Sequence, residues 1–279
     1  MISSRCTAAQ RLKRNRPGMD TALKIAVSGK GGVGKTTVAA LLCRALVERG
    51  RRVIALDADP DANLAAAIGM PEDEGIAALA SMRDLIEERT GAAAGAVGAF
   101  FKINPHVADL PEKLWREQGG IRLLKMGTVK QGGSGCICPA SAVVKAMMQH
   151  LVLYRNEAVI MDMEAGIEHL GRATAQAVHC LIVVVEPGMR SIETAHAIRT
   201  LARDLRLERV CLIANKIRTA ADADFITAHA DGLDVLAQLP FDDNFMRADR
   251  QRLAAWELCP DALAVMRAAC ARLARPDAS

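Results

Sequence analysis

The stretch Gly29-Lys30-Gly31-Gly32-Val33-Gly34-Lys35-Thr36-Thr37 decides the fold of this chain. It stands between the apolar run Leu23-Lys24-Ile25-Ala26-Val27-Ser28 and the helical pattern Val38 to Val47, so a strand feeds a glycine turn and the turn opens a helix. Glycines let the backbone fold back with φ > 0 and line up N–H groups against an anion at the positive end of the following helix. The spacing G-x-x-x-x-G-K-[ST] in that setting predicts a nucleoside triphosphate site over Gly29, Lys30, Gly31, Gly32, Val33, Gly34, Lys35, Thr36 and Thr37. Lys35 would reach the β- and γ-phosphates, Thr36 would hold Mg²⁺ by its hydroxyl, and Thr37 would bond the α-phosphate.

Further out, apolar strands alternate with helical patterns, which predicts an α/β protein with a doubly wound, mostly parallel sheet and the Gly29–Thr37 strand near its centre. With 279 residues, 51% of them apolar, the chain can bury a sizeable core, and one domain is expected over 23–275. Residues 1–22 read as a basic tail and 276–279 as a second short tail. The formal net charge of +4 resides in the first 20 residues, leaving a neutral body, and aromatics are only 3%. Neither a nucleic-acid surface nor a stacking platform is expected from that balance. Eight cysteines, without a signal peptide or an 18-residue apolar span, point to reduced thiols and a cytoplasmic protein with no membrane role. Cys43, Cys180 and Cys211 fall inside apolar patterns and are expected in the core.

Two apolar strands end in carboxylates. Arg52 to Asp57 runs into Asp57-Ala58-Asp59-Pro60-Asp61, placed beside the glycine-turn strand where open α/β sheets bind ligands; Asp61 is expected to be a helix cap. Ala158-Val159-Ile160-Met161-Asp162 ends in the pattern that meets Mg²⁺ through water, and the Gly166 backbone can approach the γ-phosphate. A third strand, Arg209 to Arg218, ends in Asn215-Lys216, with Arg218 where a guanine reader needs an acceptor; a cation cannot accept, so adenine is favoured. The loop Leu239-Pro240-Phe241-Asp242 is expected to close over the base. Glu74–Gly91 has a helical pattern, 92–118 has no clear period, and Ala262–Leu273 reads as a helix packed on the sheet.

A glycine-rich loop over 131–139 carries Cys136-Ile137-Cys138-Pro139. Two thiolates one residue apart can face one soft ion but fill only half of a four-ligand site for Zn²⁺ or Ni²⁺. A twofold homodimer would set the same loop opposite itself and supply the other pair. Two inert thiols in a turn are the alternative, since a disulfide across one residue would be strained.

The second lysine of Gly29-Lys30-Gly31-Gly32-Val33-Gly34-Lys35-Thr36-Thr37 makes the motif resemble the deviant Walker A of the MinD/ParA/nitrogenase-iron-protein group. That resemblance implies that Lys30 acts across a dimer on the partner's nucleotide. It also implies that Asp59 serves hydrolysis, that Asp57 supports the Mg²⁺ site, and that Asn215 and Lys216 lie at the base. Together with Asp57-Ala58-Asp59-Pro60-Asp61-Ala62-Asn63-Leu64, Gly133-Ser134-Gly135-Cys136-Ile137-Cys138-Pro139 and Asp162 to Arg172, the chain from about Lys24 onward resembles the carbon monoxide dehydrogenase accessory ATPases (CooC-type). The implied function is ATP-driven support of nickel insertion into that enzyme. Cys136 and Cys138 would share Ni²⁺ or Zn²⁺ between two subunits, while Glu168 and His169 match the family motif without a derivable role. A ParA/MinD-like positioning ATPase and a redox ATPase like the nitrogenase iron protein are the alternative readings.

Overall fold

A computed structural model describes residues 22–71, 75–93, 100–127, 138–164 and 172–273. Cys136, Gly166, Glu168 and His169 lie outside the described residues. The chain starts with β1 (Lys24–Ser28), whose five residues are all buried, and the glycine turn hands it to α1 (Lys35–Glu48). Next come β2 (Val53–Ala58), the short α2 (Leu64–Ala67), a 3-10 turn (Leu79–Ser81), α3 (Arg83–Thr90) and α4 (Pro111–Leu114). A hairpin of β3 (Arg116–Gln118) and β4 (Ile121–Lys125) precedes α5 (Pro139–Tyr154) and β5 (Ala158–Met163). The remainder alternates: α6 (Arg172–Gln176), β6 (Cys180–Val185), α7 (Met189–Asp204), β7 (Val210–Ile217), α8 (Ala220–Ala228), β8 (Asp234–Pro240), α9 (Asn244–Arg250) and α10 (Pro260–Leu273).

The eight strands form one sheet in the order β3-β4-β2-β5-β1-β6-β7-β8. All neighbours are parallel except β3 and β4. Both faces are covered, as a parallel sheet requires. Ile25, Val27, Val53, Ala55 and Ile182 pack with Leu41, Leu42, Leu263, Met266 and Cys270 of α1 and α10. Ala26, Ile54, Leu56, Leu181 and Val183 pack with Val143, Met147, Leu151 and Ile198 on the other side. Cys43, Cys180 and Cys211 are buried in the first of these layers, and α10 packs on the sheet as the sequence suggests.

Three local expectations are corrected. β2 is not beside β1, because β5 is inserted between them; buried parallel strands look alike in sequence, so their lateral order is not written locally. Helix over 74–91 shrinks to Arg83–Thr90. Met126 O captures the Ala80 N–H at 3.0 Å, and Ala78 Cβ would lie 2.7 Å from a Cβ on Gly127, so this part of the chain is pinned to the end of β4 and leaves the helical path. The stretch 92–118 is less irregular than its composition suggests, since it contains α4 and β3. Gly119 and Gly120, at φ 56° and 83°, form a two-residue turn with both central angles positive, which suits a right-twisted hairpin.

Candidate nucleotide site

The carboxyl ends of β1, β2, β5, β6 and β7 share one edge of the sheet, and the glycine turn is anchored there by steric fit. Gly29 (φ 143°) has no room for a side chain, because a Cβ would lie 2.4 Å from Val184 O on β6. Gly34 is constrained by its φ of 97°, and a Cβ there would displace the Asn215 side-chain amide, whose nitrogen would lie 2.3 Å away. Gly31 and Gly32 face open space, leaving the inner side of the turn free for an anion. Val33 is fully buried and acts as the hydrophobic foot of the turn.

Two ties from β7 hold the turn from behind. The Asn215 side-chain amide, in a buried setting, donates to Val33 O at 2.8 Å. Lys216, itself at φ 60°, donates its ammonium to Gly32 O at 2.7 Å and pairs with Glu186 at 2.7 Å. Expected at the base, Asn215 spends one N–H on the turn, and the Lys216 charge is met by Glu186. Glu186 was not singled out from sequence; its only signal is a carboxylate directly after an apolar strand and before Pro187-Gly188. At the end of β8, Pro240 is exposed and the Phe241 N–H donates to Ile217 O at 2.8 Å. The Arg218 guanidinium lies 3.5 Å from the centroid of the Phe241 ring, joining the two segments that flank the expected base position.

The carboxylates lie in register across three strands. Asp162 pairs with Val27 of β1 on one side and with Asp57 of β2 on the other. Asp162 is fully buried, and neither of its oxygens has a hydrogen bond of good geometry. Burial pushes its carboxyl up to about 7; the nearby Thr36 hydroxyl opposes the shift and the Asp57 charge adds to it. Asp57, also buried, is pushed up to about 6 by desolvation. Its Oδ2 accepts the Leu64 N–H at 3.0 Å while Oδ1 has no partner. The backbone end of α2 is therefore satisfied by Asp57 and not by Asp61, which corrects the cap expected from sequence. Asp59 Oδ1 accepts the Asp61 N–H at 3.0 Å, and its Oδ2 lies 3.9 Å from the Lys35 ammonium.

Three buried carboxylate oxygens without partners are costly unless a cation satisfies them. The donor set suits Mg²⁺, which keeps several waters and takes only one or two carboxylates plus substrate phosphates. Thr36 and Asp162 would hold it and Asp57 would support them. No group of three or more His, Cys, Asp and Glu side chains arranged as a metal cage occurs among the described residues. Lys30 is half-buried, with no ion pair among the described residues. Cys138 is a half-buried free thiol at the start of α5, where its N–H donates to Ser141 Oγ at 3.1 Å.

Comparison with known proteins agrees with this geometry. Residues 24–254 match the CobQ/CobB/MinD/ParA nucleotide-binding domain family. The chain is 48% identical over 240 residues to the carbon monoxide dehydrogenase accessory protein CooC of Rhodospirillum rubrum, covering 85% of this chain and 91% of that protein. It is 44% identical over 230 residues to an uncharacterised ATP-binding protein of Methanocaldococcus jannaschii, covering 81% and 88%. Among solved structures, MinD in its complex with MinC from Aquifex aeolicus superposes with a TM-score of 0.65 at 19% identity, covering 91% of this chain and 97% of that one. A ParA family ATPase from Chlorobium tepidum gives 0.65 at 17% identity, covering 91% and 98%, so both share the fold.

Proposed function

The chain belongs to the CobQ/CobB/MinD/ParA nucleotide-binding family, in the group of the carbon monoxide dehydrogenase accessory ATPases; from that premise we propose that it is an ATP-hydrolysing metallochaperone. In this reading it works as a nucleotide-switched homodimer that supports nickel insertion into the active-site cluster of carbon monoxide dehydrogenase. One observation supports the proposal: the glycine turn and the end of β4, from which the chain continues toward Cys136 and Cys138, lie on the same edge of the sheet. Asp57, in register with Asp162, joins the two, since its backbone carbonyl accepts the Met126 N–H at 2.8 Å, directly after β4.

The division of labour follows from the residues. The glycine turn and Lys35 bind the phosphates, and when the nucleotide draws the Lys35 ammonium toward itself, Asp59 is freed to orient the attacking water. Mg²⁺, when bound, neutralises charge that develops on the phosphates. Lys30 reaches the other subunit's nucleotide, so the reaction is fast only in the closed pair. Closure brings Cys136 and Cys138 of both copies together as four thiolates for Ni²⁺ or Zn²⁺, which is cargo in this scheme; hydrolysis reopens the pair and delivers it.

The reading is tested in cells that lack this chain and make carbon monoxide dehydrogenase at limiting nickel. The intact chain should restore enzyme activity, whereas Asp59→Asn and the double variant Cys136→Ser/Cys138→Ser should not, at equal amounts of enzyme protein. Full restoration by the cysteine variant would remove the thiols from the mechanism.

A further inference from the structure

The parallel strands β1, β6 and β7 begin on the edge of the sheet away from the glycine turn. A groove of about 680 Å³ lies there, walled by Lys24, Leu153, Arg155, His179, Arg206 and Arg209 among others. A second groove, of about 480 Å³, adjoins it: Arg206 and Glu208 line both, and Arg199 and Arg203 belong to the second alone. Glu208 is the one carboxylate among the described residues of either wall. The body of the chain is formally neutral beyond its first 20 residues, so this edge is a local excess of positive charge.

Part of that charge is met inside the chain. Arg155 pairs with Glu112 at 2.6 Å and Glu157 at 2.9 Å, and Arg199 with Asp231 at 3.0 Å. The Lys24 ammonium is held by three backbone carbonyls, which leave its charge in place. Arg203 and Arg206 are exposed and have no ion pair among the described residues. His179 Nδ1 accepts the Lys24 N–H at 3.0 Å, so in the neutral ring the proton sits on Nε2, a further donor on the wall. Arg206 stands at φ 58° after α7, where its N–H bonds Arg203 O at 3.0 Å and the Leu207 N–H bonds Ala202 O at 2.9 Å. That helix end favours glycine, because a Cβ is disfavoured in the left-handed region. An arginine in this place puts a guanidinium on the ridge between the grooves at the expense of backbone comfort.

We propose that this edge is a docking surface for an acidic, extended segment of a partner protein, its carboxylates meeting Arg203, Arg206 and Arg209 and an apolar side chain meeting Leu153. Charge complementarity selects the sign of the partner. Extent selects a chain over a small anion: the unpaired guanidiniums are exposed, where one ion pair contributes little, whereas a segment lying along both grooves engages several at once. Glu208 in the middle of the track disfavours the unbroken phosphate row of a nucleic acid. Leu153, exposed on the wall, and exposed Tyr154 next to it in the chain supply the apolar area that a protein interface uses for anchoring. A partner held here leaves the edge with the glycine turn free.

The test uses the full-length chain and the fluorescence anisotropy of a labelled glutamate-rich peptide that carries leucines. The native chain should bind it, more weakly as salt rises. Arg203→Ala/Arg206→Gly should weaken binding about threefold to tenfold, and Glu208→Gln, which removes the carboxylate of the wall, should tighten it. Arg206→Gly alone should weaken binding yet melt no lower than the native chain, since glycine suits φ 58°; it carries the prediction should the double variant not fold. Peptide held by the basic residues 1–22 would be insensitive to these substitutions. Unchanged binding in the Arg203/Arg206 variant, or no binding by the native chain, would therefore overturn the proposal. So would oligothymidylate of equal charge bound as tightly and lost in the same variant, which would assign the grooves to nucleic acid. Full displacement of the peptide by inorganic phosphate at constant ionic strength would reduce them to a small-anion site and overturn it too.

Discussion

At the scale of single residues, steric room and desolvation decide most of the site. Gly29 is required by the Val184 carbonyl 2.4 Å from where a Cβ would be. Gly29→Ala must push β1 and β6 apart at the turn, and the rise in melting temperature that ATP gives the native chain is expected to disappear, as thermal melts with and without nucleotide would show. A retained shift would mean that the turn tolerates the added methyl. Lys24 shows the opposite pole of the same strand. It is buried, its ammonium donates to the carbonyls of Leu151 (3.2 Å), Arg155 (2.7 Å) and Glu157 (3.0 Å), and desolvation lowers it to about 8. Since the folded value lies below the unfolded 10.5, the unfolded chain holds the extra proton between about 8 and 10.5, and stability contributed by this group rises with pH across that window. Lys24→Met should cost about 1–3 kcal/mol at neutral pH by orphaning carbonyls, and chemical denaturation at several pH values should show the alkaline gain flattened. In sequence Lys24 is only a charge inside an apolar run, because its three acceptors come from residues more than 120 positions away.

At the scale of elements, the glycine turn is positioned by β7 as much as by its own glycines. Asn215→Ala removes the tie to Val33 O and should weaken ATP binding about tenfold, the effect of one lost buried hydrogen bond, with the far-ultraviolet circular dichroism unchanged. Glu186→Gln leaves the Lys216 ammonium with Gly32 O but without its carboxylate. It is expected to raise KM for ATP more than it lowers kcat, and steady-state kinetics would show a kcat-only effect if Glu186 took part in the chemistry. The alternation of strand and helix was legible because hydrophobic period and turn residues are local signals. The Gly29–Thr37 motif, Asp57 and Asp162 were legible for the same reason, as each closes an apolar strand. What was not legible depends on contacts between elements: β5 inserted between β1 and β2, the shortened helix before Arg83, the donor of α2 claimed by Asp57, and the partner Glu186.

At the scale of the molecule, one edge of the sheet carries the glycine turn, the buried carboxylates and the end of β4, while structural contacts such as those of Lys24 lie at the opposite edge. No helix among the described residues is long and apolar enough to cross a membrane. Cys138 alone provides one thiol per chain at the start of α5, and with Cys136 the chain offers two, half of what a four-coordinate soft ion requires. Closure of two copies on ATP is the step that would complete the set. The most direct measurement is therefore the metal content of the purified protein, with its oligomeric state, in the presence and absence of ATP, for the native chain and for Cys136→Ser/Cys138→Ser. The expected result is one Ni²⁺ or Zn²⁺ per two chains, favoured by ATP and lost in the cysteine variant. Metal bound at one ion per single chain, or held equally well without both thiols, would contradict it.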